Sequence, residues 1–273
     1  DWAKGEFLAA GKVPGKDFLC ASTPGEGFLY NVDSFAMFKV KGSERQDGQK
    51  LLAKLIVGKN FQKDLSEKLN FKQQIITAND ANCFALAEAM FGAGKKYEQA
   101  TNIKTKDQTA IGIIIGTGCG GGIILNGKMF SGSRGGAGEL GHTCIEPDGE
   151  SCYCGRRGCA ELYLSGKAVE NHYLKTTGDK KYATDILQDK KFRKRYKSYF
   201  TQFLLNIVNS FDPEYIVFGG GLSKDNGLWE ETLQELKKLQ FLKTKELPQF
   251  YQNSLGDSAG VFGAAMLVSQ SIG

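Results

Sequence analysis

The sequence predicts an α/β protein of two domains, and three patterns support this. The β-branched run from Thr109 to Phe130 contains a glycine-rich turn and predicts adjacent strands. A second short apolar run, Tyr215 to Phe218, ends in three consecutive glycines. Between these runs, apolar residues recur at helical spacing from Lys190 to Asn209, which predicts an amphipathic helix. A chain of 273 residues is long enough for two modest domains with separate cores.

The composition excludes several classes of protein. Hydrophobic residues make up 41% and charged residues 24% of the chain, as in ordinary globular proteins. No apolar run approaches the roughly 18 residues that a membrane span needs, and the first residues form no secretory signal. We therefore predict a cytoplasmic protein with no membrane partner. The net charge of +5 is too diffuse to indicate nucleic acid, and the basic segment that begins at Lys190 alternates with apolar residues, so it predicts a solvated helix face.

The first 78 residues predict local elements of low specificity. The apolar run from Phe18 to Ala21 predicts a strand that ends in a turn at Pro24 and Gly25. The spacing of apolar residues predicts an amphipathic helix from Leu51 to Leu69, and residues 73–78 predict a further strand.

Asn79 and Asp80 follow that strand and precede a helix predicted from Ala81 to about Phe91. One interpretation is structural, because Asp and Asn side chains commonly accept the unpaired amide hydrogens at the start of a helix. The other is functional, because a carboxylate at the C-terminal end of a buried strand projects into a cleft and can act as a general base there. The residues alone leave both interpretations open for Asp80.

Two glycine-rich turns follow predicted strands. In Gly116–Gly122 the missing side chains allow backbone amides to approach an anion closely, which suits phosphates, although a plain tight hairpin is the alternative. A strand follows this turn, so it is neither a Walker A loop nor a Rossmann loop, both of which precede a helix. The second turn, Gly219–Gly221, ends a strand at the edge where open α/β sheets place nucleotides.

The stretch from Gly138 to Glu161 is the most specific part of the chain. It contains His142, Cys152, Cys154 and Cys159, which together form a full tetrahedral set of the nitrogen and sulfur ligands that zinc prefers. Four protein ligands leave no open position, so we predict structural zinc. The alternatives are a disulfide pair or reduced core cysteines. The odd count of seven cysteines favours a reducing compartment over a disulfide.

A metal that folds this stretch would also bring two carboxylates, Glu139 and Glu161, close to His142. When one imidazole nitrogen binds a metal, the other is fixed as donor or acceptor toward a neighbour. His142 can therefore face a metal and a ligand at the same time.

The pattern E-x-G-H, followed ten positions after its histidine by C-x-C-G-x-x-G-C-x-E and then by Ser165-Gly166, resembles the signature of ROK proteins, a group of bacterial sugar kinases and repressors. The segments NDANCFALAE, GTGCGGG and DPEYIVFGGGLS are similar to further motifs of this family or its superfamily. The resemblance implies an actin-like ATPase (ribonuclease H-like) fold of two domains, with an interdomain cleft and a zinc knuckle. The smaller domain would comprise residues 1–91 and 262–273, and the larger domain residues 92–261.

The resemblance also implies the reaction, a transfer of the γ-phosphoryl group of ATP to a hexose hydroxyl. Asp80 would be the catalytic base, Mg²⁺ would accompany ATP, and Zn²⁺ would be structural. We expect a homodimer. The residues implied to bind the sugar are Pro24, Gly25, Asn79, Asp80, Glu139, His142 and Glu161. The residues implied to bind the nucleotide are Gly116, Thr117, Gly118, Gly120, Gly219, Gly220 and Gly221.

Among hexoses the resemblance favours glucose. The short run between His142 and Cys152 is similar to that of ROK glucokinases, whereas the N-acetylglucosamine kinases of the family tend to carry an insertion there. N-acetylglucosamine and N-acetylmannosamine stay open as alternatives, because the hydroxyl-binding residues are shared among these kinases.

Two functions from another class also fit the motifs. A sugar-responsive ROK repressor would keep the knuckle and the sugar pocket and add an N-terminal helix-turn-helix. A catalytically inactive sugar-binding protein would explain why the D-x-G-G-T-K phosphate turn that opens ROK kinases is absent from the sequence. We favour instead the interpretation that a segment of the protein is missing from the sequence, because the later motifs are intact.

Overall fold

The computed structural model of the chain describes residues 78–243, 246–256 and 259–271. The turn at Pro24 and Gly25 and the helix predicted from Leu51 to Leu69 lie outside the described residues, as does the strand over 73–78 except for its last residue. The chain divides into two compact units between Asp80 and Ala81, and the fold given below is that of the second unit. The domain boundaries predicted at residues 91 and 262 stay a prediction.

The described residues contain one open sheet of five strands in the order β3-β2-β1-β4-β5. β1 pairs antiparallel with β2 and parallel with β4, while β2 pairs antiparallel with β3 and β4 parallel with β5. Asn126 and Gly127 join β2 to β3 with φ angles of 51° and 67°, the left-handed conformation that a two-residue hairpin requires. The strands predicted within Thr109–Phe130 are therefore confirmed. The strand bounds are β1 (Ala110–Ile115), β2 (Cys119–Leu125), β3 (Lys128–Met129), β4 (Tyr215–Gly219) and β5 (Gln249–Gln252).

Helices occupy most of the remaining described chain. The long helix predicted from Lys190 is confirmed: it begins after Asp189, whose carboxylate accepts N–H groups of the first turn, and it ends at Phe211 before a left-handed Asp212. None of the described helices is both long enough and apolar enough to cross a membrane. The helix bounds are α1 (Asp80–Phe91), α2 (Ala93–Thr101), α3 (Glu161–Leu164), α4 (Gly166–Thr177), α5 (Ala183–Ile186), α6 (Lys190–Phe211), α7 (Asn226–Leu239) and α8 (Ala259–Ser271).

The main hydrophobic core lies between the sheet and helices α6 and α7. Alternate residues of β1, among them Ile113, face this core together with Phe200 of α6 and Trp229 of α7. The Trp229 ring lies 3.7 Å from the ring centroid of Phe218 and 5.2 Å from that of Phe200. β4, the strand that ends in the second glycine turn, therefore packs against aromatic side chains on one face of the sheet.

Helix α1 packs against the opposite face of the sheet, where the strands carry glycine. A Cβ added at Gly112 would lie 2.6 Å from the Cβ of Ala85, and one added at Gly122 would lie 2.5 Å from the carbonyl oxygen of Ala81. The small residues on both elements permit this close approach. The sheet is therefore enclosed between two helical layers.

Glu88 connects α1 to the segment that precedes α8 through hydrogen bonds. Its side chain is fully buried. One carboxylate oxygen accepts hydrogen bonds from the amides of Ser254 (2.8 Å) and Leu255 (2.9 Å), and the other accepts from the amide of Ala93 (3.1 Å) and the hydroxyl of Ser254 (3.2 Å). Four donors therefore converge on one buried carboxylate, which offsets the cost of burying its charge.

We expect Glu88→Gln to lower the free energy of unfolding by about 2 to 4 kcal/mol. The amide nitrogen of glutamine is a donor, so it leaves the donors on one side of the site without an acceptor. Urea unfolding measures the change. Glu230→Gln, on an exposed position of α7, is the control and should alter stability by no more than about 0.5 kcal/mol. Equal unfolding energies for the two variants would show that the Glu88 contacts add little.

Candidate active site

The two glycine turns lie side by side at one edge of the sheet. β1 and β4 are parallel neighbours, with Ile114 opposite Gly219, so both strands end at the same edge. Gly220 has a φ of 88°, and a Cβ added there would lie 2.3 Å from the carbonyl oxygen of Ile115. Only glycine fits at this position, because the backbone that follows β4 passes directly over the end of β1.

The outer side of these turns is open. Cβ atoms added at Gly116 or Gly221 would meet no atom within 4 Å, and Thr117 is exposed. Exposed glycine-rich backbone at the carboxyl ends of neighbouring strands suits phosphate groups, although the amide of Gly116 itself donates to the carbonyl oxygen of Gly118 (3.0 Å). Gly120 differs from the others, since it lies inside β2 and a Cβ there would lie 3.2 Å from the Cβ of Ala81 in α1.

Glu161 connects the first glycine turn to the cysteine-rich stretch. It is the first residue of α3, and its carboxylate accepts a hydrogen bond from the amide of Cys119 (3.0 Å), the first residue of β2. A second hydrogen bond connects the first glycine turn to the start of α4: the amide of Gly166 donates to the carbonyl oxygen of Gly116 (2.7 Å). A residue implied to bind sugar and a turn implied to bind phosphate are therefore in direct contact.

The predicted zinc ligands come together. The donor atoms of His142, Cys152, Cys154 and Cys159 all lie within 4.8 Å of one another. Nδ1 of His142 is 3.6 Å from the sulfur of Cys152, and the sulfurs of Cys154 and Cys159 are 3.5 Å apart. Zinc with Zn–S of about 2.3 Å and Zn–N of about 2.0 Å in tetrahedral geometry places its ligand atoms roughly 3.5 to 3.8 Å apart. The donor set and these two spacings fit zinc, and none of the three cysteines forms a disulfide.

The loop around these donors depends on glycine. Gly155 and Gly158 have φ angles of 88° and 68°. A Cβ added at Gly158 would lie 1.6 Å from the carbonyl oxygen of Glu146. The spacing C-x-C-G-x-x-G-C thus specifies a turn that returns Cys159 to the first two cysteines.

The electrostatics of the thiols favour a cation. A hydrogen bond from the amide of Arg156 lowers the pKa of Cys154, while burial raises the pKa of Cys159 and the hydrogen bonds that its thiol donates to Cys154 and Cys152 raise it further. A negative charge on one thiolate disfavours deprotonation of the neighbouring thiols. A bound dication would stabilise all of them as thiolates.

His142 presents its two nitrogens in different directions. It ends a short 3₁₀ turn, Leu140–His142, that packs against β2, since a Cβ added at Gly141 would lie 1.9 Å from the carbonyl oxygen of Cys119. Nδ1 faces the sulfur of Cys152, and Nε2 lies 2.9 Å from the hydroxyl of Tyr153. Glu139, which immediately precedes this turn, is exposed.

Tyr153 is a side chain at this site that the motifs did not indicate. Partial desolvation of its phenol raises its pKa, and the negative charges of Glu161, Cys152 and Glu139 raise it further, which places the phenol near the predicted sugar-binding carboxylates. The only sequence signal was an aromatic residue at the central position of C-x-C, which family patterns leave undefined.

Asn79 and Asp80 are both exposed at the start of α1. The helix begins at Asp80, so Asn79 holds the capping position and Asp80 is the first helical residue. A carboxylate in the first turn is favoured by the helix dipole.

Solved structures define the class of protein to which this fold and site belong, the actin-like ATPase superfamily. The chain is similar to a ROK hexokinase from Thermus thermophilus with a TM-score of 0.66 and 29% identity, covering 78% of this chain and 70% of that one. It is also similar to a ROK family glucokinase from Streptomyces griseus, solved in complex with glucose and AMPPNP, with a TM-score of 0.61 and 26% identity, covering 77% of this chain and 72% of that one.

The chain belongs to the ROK family, whose family model matches residues 53–271. It is 36% identical over 228 residues to an N-acetyl-D-glucosamine kinase from Vibrio cholerae, covering 77% of this chain and 71% of the relative. It is 35% identical over 224 residues to an N-acetyl-D-glucosamine kinase from Histophilus somni, covering 75% of this chain and 69% of the relative. The predicted family is confirmed, and so is the α/β class; the described residues form a mixed α/β fold with one open sheet.

Proposed function

We propose that this ROK protein transfers the γ-phosphoryl group of ATP to a hexose, and that the hexose is N-acetyl-D-glucosamine. The observation that carries the reaction class is the contact between the Glu161 carboxylate and the amide of Cys119, which joins the sugar side of the site to a phosphate turn. The relatives at 35–36% identity, which are N-acetyl-D-glucosamine kinases, support the choice of sugar. The glucose predicted from the short run between His142 and Cys152 becomes the second candidate, because the solved glucokinase is 26% identical.

In the proposed phosphoryl transfer, different groups of the described residues have different roles. Asp80 accepts the proton of the attacking hydroxyl, and Asn79, Glu139, His142 and Glu161 bind the other hydroxyls through charged or directional hydrogen bonds. The amides of the two glycine turns hold the phosphates in line with the attacking oxygen. Mg²⁺ bound with ATP would offset the charge of the phosphates. The proposed set of sugar-binding residues also includes Pro24 and Gly25, which lie outside the described residues.

We propose that Zn²⁺ binds to His142 and the three knuckle cysteines and acts structurally. A closed set of four protein ligands leaves no position for substrate on the metal. The metal would hold His142 by Nδ1 and leave Nε2 toward the sugar. It would also fix Cys159, two residues before Glu161, so the sugar pocket depends on the knuckle.

The test of this function is a panel of hexoses. Calorimetry should detect binding of N-acetyl-D-glucosamine, and a coupled assay with Mg-ATP should detect ADP release that depends on it. Glu161→Gln keeps the volume of the side chain and one acceptor oxygen but loses the charge, so it should weaken sugar binding by roughly 5- to 150-fold without changing the metal content. The matched control is Glu170→Gln, because Glu170 also accepts a backbone amide, that of Ala183 (3.2 Å), but lies on α4.

Each outcome of the panel has a defined meaning. A protein that binds no hexose would contradict the proposed function. Faster phosphorylation of glucose than of N-acetyl-D-glucosamine would keep the kinase and replace the sugar. Sugar binding without ADP release at any nucleotide concentration would favour the sugar-binding protein or the repressor.

A further inference from the structure

Tyr153 makes an unusual contact for so exposed a residue. The residue lies between Cys152 and Cys154 in the sequence and is 81% exposed. Its hydroxyl nevertheless lies 2.9 Å from Nε2 of His142, and the two rings meet edge to face with their centroids 5.0 Å apart. The phenol is therefore held by one side chain at its tip, while little of the protein covers the ring.

The contact uses the imidazole nitrogen that points away from the knuckle. Nδ1 of His142 faces the sulfur of Cys152 at 3.6 Å, so Nε2 is the nitrogen left for a partner outside the cluster. With Nδ1 on a metal, a neutral imidazole carries its proton on Nε2 and donates it. With the metal bound and no sugar present, the oxygen of Tyr153 would accept that hydrogen bond.

The proposed sugar site needs the same nitrogen. A pyranose hydroxyl bound between Glu139, Glu161 and His142 would take its hydrogen bond from Nε2, and this is where the Tyr153 oxygen lies. One N–H cannot make two full-strength hydrogen bonds at once. The tyrosine hydroxyl and a sugar hydroxyl therefore compete for one donor.

We propose that Tyr153 is an affinity-determining residue of the sugar site, whose hydroxyl occupies Nε2 of His142 in the absence of sugar and yields it to a pyranose hydroxyl on binding. This inference rests on the proposed function, because it takes the sugar pocket as given. The exposed ring has room to turn away, since its only described polar partner is the imidazole. The free energy of the hydrogen bond that Tyr153 loses reduces the net binding free energy of the sugar.

The variant Tyr153→Phe removes the hydroxyl and keeps the ring. In the zinc-loaded full chain, calorimetry with N-acetyl-D-glucosamine should show a dissociation constant about 2- to 10-fold lower than that of the parent, because the sugar no longer displaces an internal hydrogen bond. The zinc content should be the same in both proteins. Tyr182→Phe is the matched control, because Tyr182 is also highly exposed, at 77%, and lies before α5; its dissociation constant should equal that of the parent.

A second measurement reports on the histidine directly. The chain has two histidines, so ¹⁵N NMR of the imidazoles gives two resolvable sets of signals. In the ligand-free protein, Tyr153→Phe should shift Nε2 of His142 and leave His172, which packs against Phe192, unchanged. Addition of sugar should bring the His142 signals of parent and variant to the same position.

The outcomes separate this inference from the proposed function. If the parent binds a hexose and Tyr153→Phe binds it equally well or more weakly, with zinc retained, the competition is refuted and the sugar site stands. Unchanged Nε2 signals in the ligand-free variant would refute it as well. If the parent binds no hexose at all, the proposed function fails, and the inference about Tyr153 fails with it.

Discussion

Replacement of Asp80 by asparagine should lower the turnover of the proposed kinase by roughly 10² to 10⁴-fold and leave sugar binding nearly unchanged. Asparagine keeps the size of the side chain but cannot take the proton of the attacking hydroxyl. α1 begins at Asp80, and asparagine also suits the start of a helix, so we expect the helix to be kept. The turnover number and the Michaelis constant, measured separately, should show a loss confined to turnover.

The control for Asp80 is an aspartate whose role at a helix start is visible in the structure. Asp189 precedes α6 and accepts hydrogen bonds from the amides of Lys191 (2.8 Å) and Phe192 (3.3 Å). Asp189→Asn keeps a capping side chain, so it should retain normal turnover. Near-normal turnover of Asp80→Asn as well would show that Asp80 only supports the helix. Thermal unfolding of each variant checks that a loss of turnover is not a loss of fold.

Local sequence patterns predicted the parts of this protein whose contacts are close in the chain. The knuckle cysteines lie within eight positions, and the glycines between them admit few backbone paths, so the cluster could be predicted from spacing. The helix at Lys190 and the hairpin at Asn126 are likewise set by periodicity and by turn residues. In each case the residues that form the element are also the residues whose sequence pattern predicts it.

The contacts that assemble the site could not be predicted, because they join distant segments without any period. The carboxylate of Glu161 meets the amide of Cys119, 42 positions earlier, and that of Glu88 meets Ser254, 166 positions later. A carboxylate on a helix gives no signal of which amide it will accept. Tyr153 was missed for a different reason, since its partner is near in sequence but its orientation depends on the folded knuckle.

The identity of the sugar is a further feature that the sequence patterns could not predict. The hydroxyls that Glu139, His142 and Glu161 are proposed to bind are shared by many hexoses, so these residues predict a class of substrate and not its member. Discrimination between glucose and N-acetyl-D-glucosamine depends on room for one acetamido group. The short run from His142 to Cys152, on which glucose was predicted, does not measure that room.

Removal of zinc should have the largest effect on stability. Elemental analysis of protein purified without chelator should find about one zinc per chain, because the four donors form a closed set. A strong chelator should lower the free energy of unfolding by about 4 kcal/mol or more where free zinc had exceeded its dissociation constant 1,000-fold. The binding energy of a structural metal becomes folding energy, because the metal binds three thiols and an imidazole that only the folded loop brings together.

A pair of cysteine variants in the same loop gives the sharpest form of this test. Cys159 is a donor of the cluster and is fully buried, whereas Cys144 is exposed, pairs with Cys159 through a backbone bridge, and is not one of the four donors. Cys159→Ser should lose zinc, stability and sugar binding together, because His142 and Glu161 lose the metal that positions them. Cys144→Ser should keep all three. If the parent contains no metal and chelator changes neither unfolding nor sugar affinity, the zinc prediction is wrong. If Cys159→Ser loses zinc and still binds sugar normally, the knuckle is a separate structural element, and the pocket is held by the contacts of Glu161 and Gly166 with the first glycine turn.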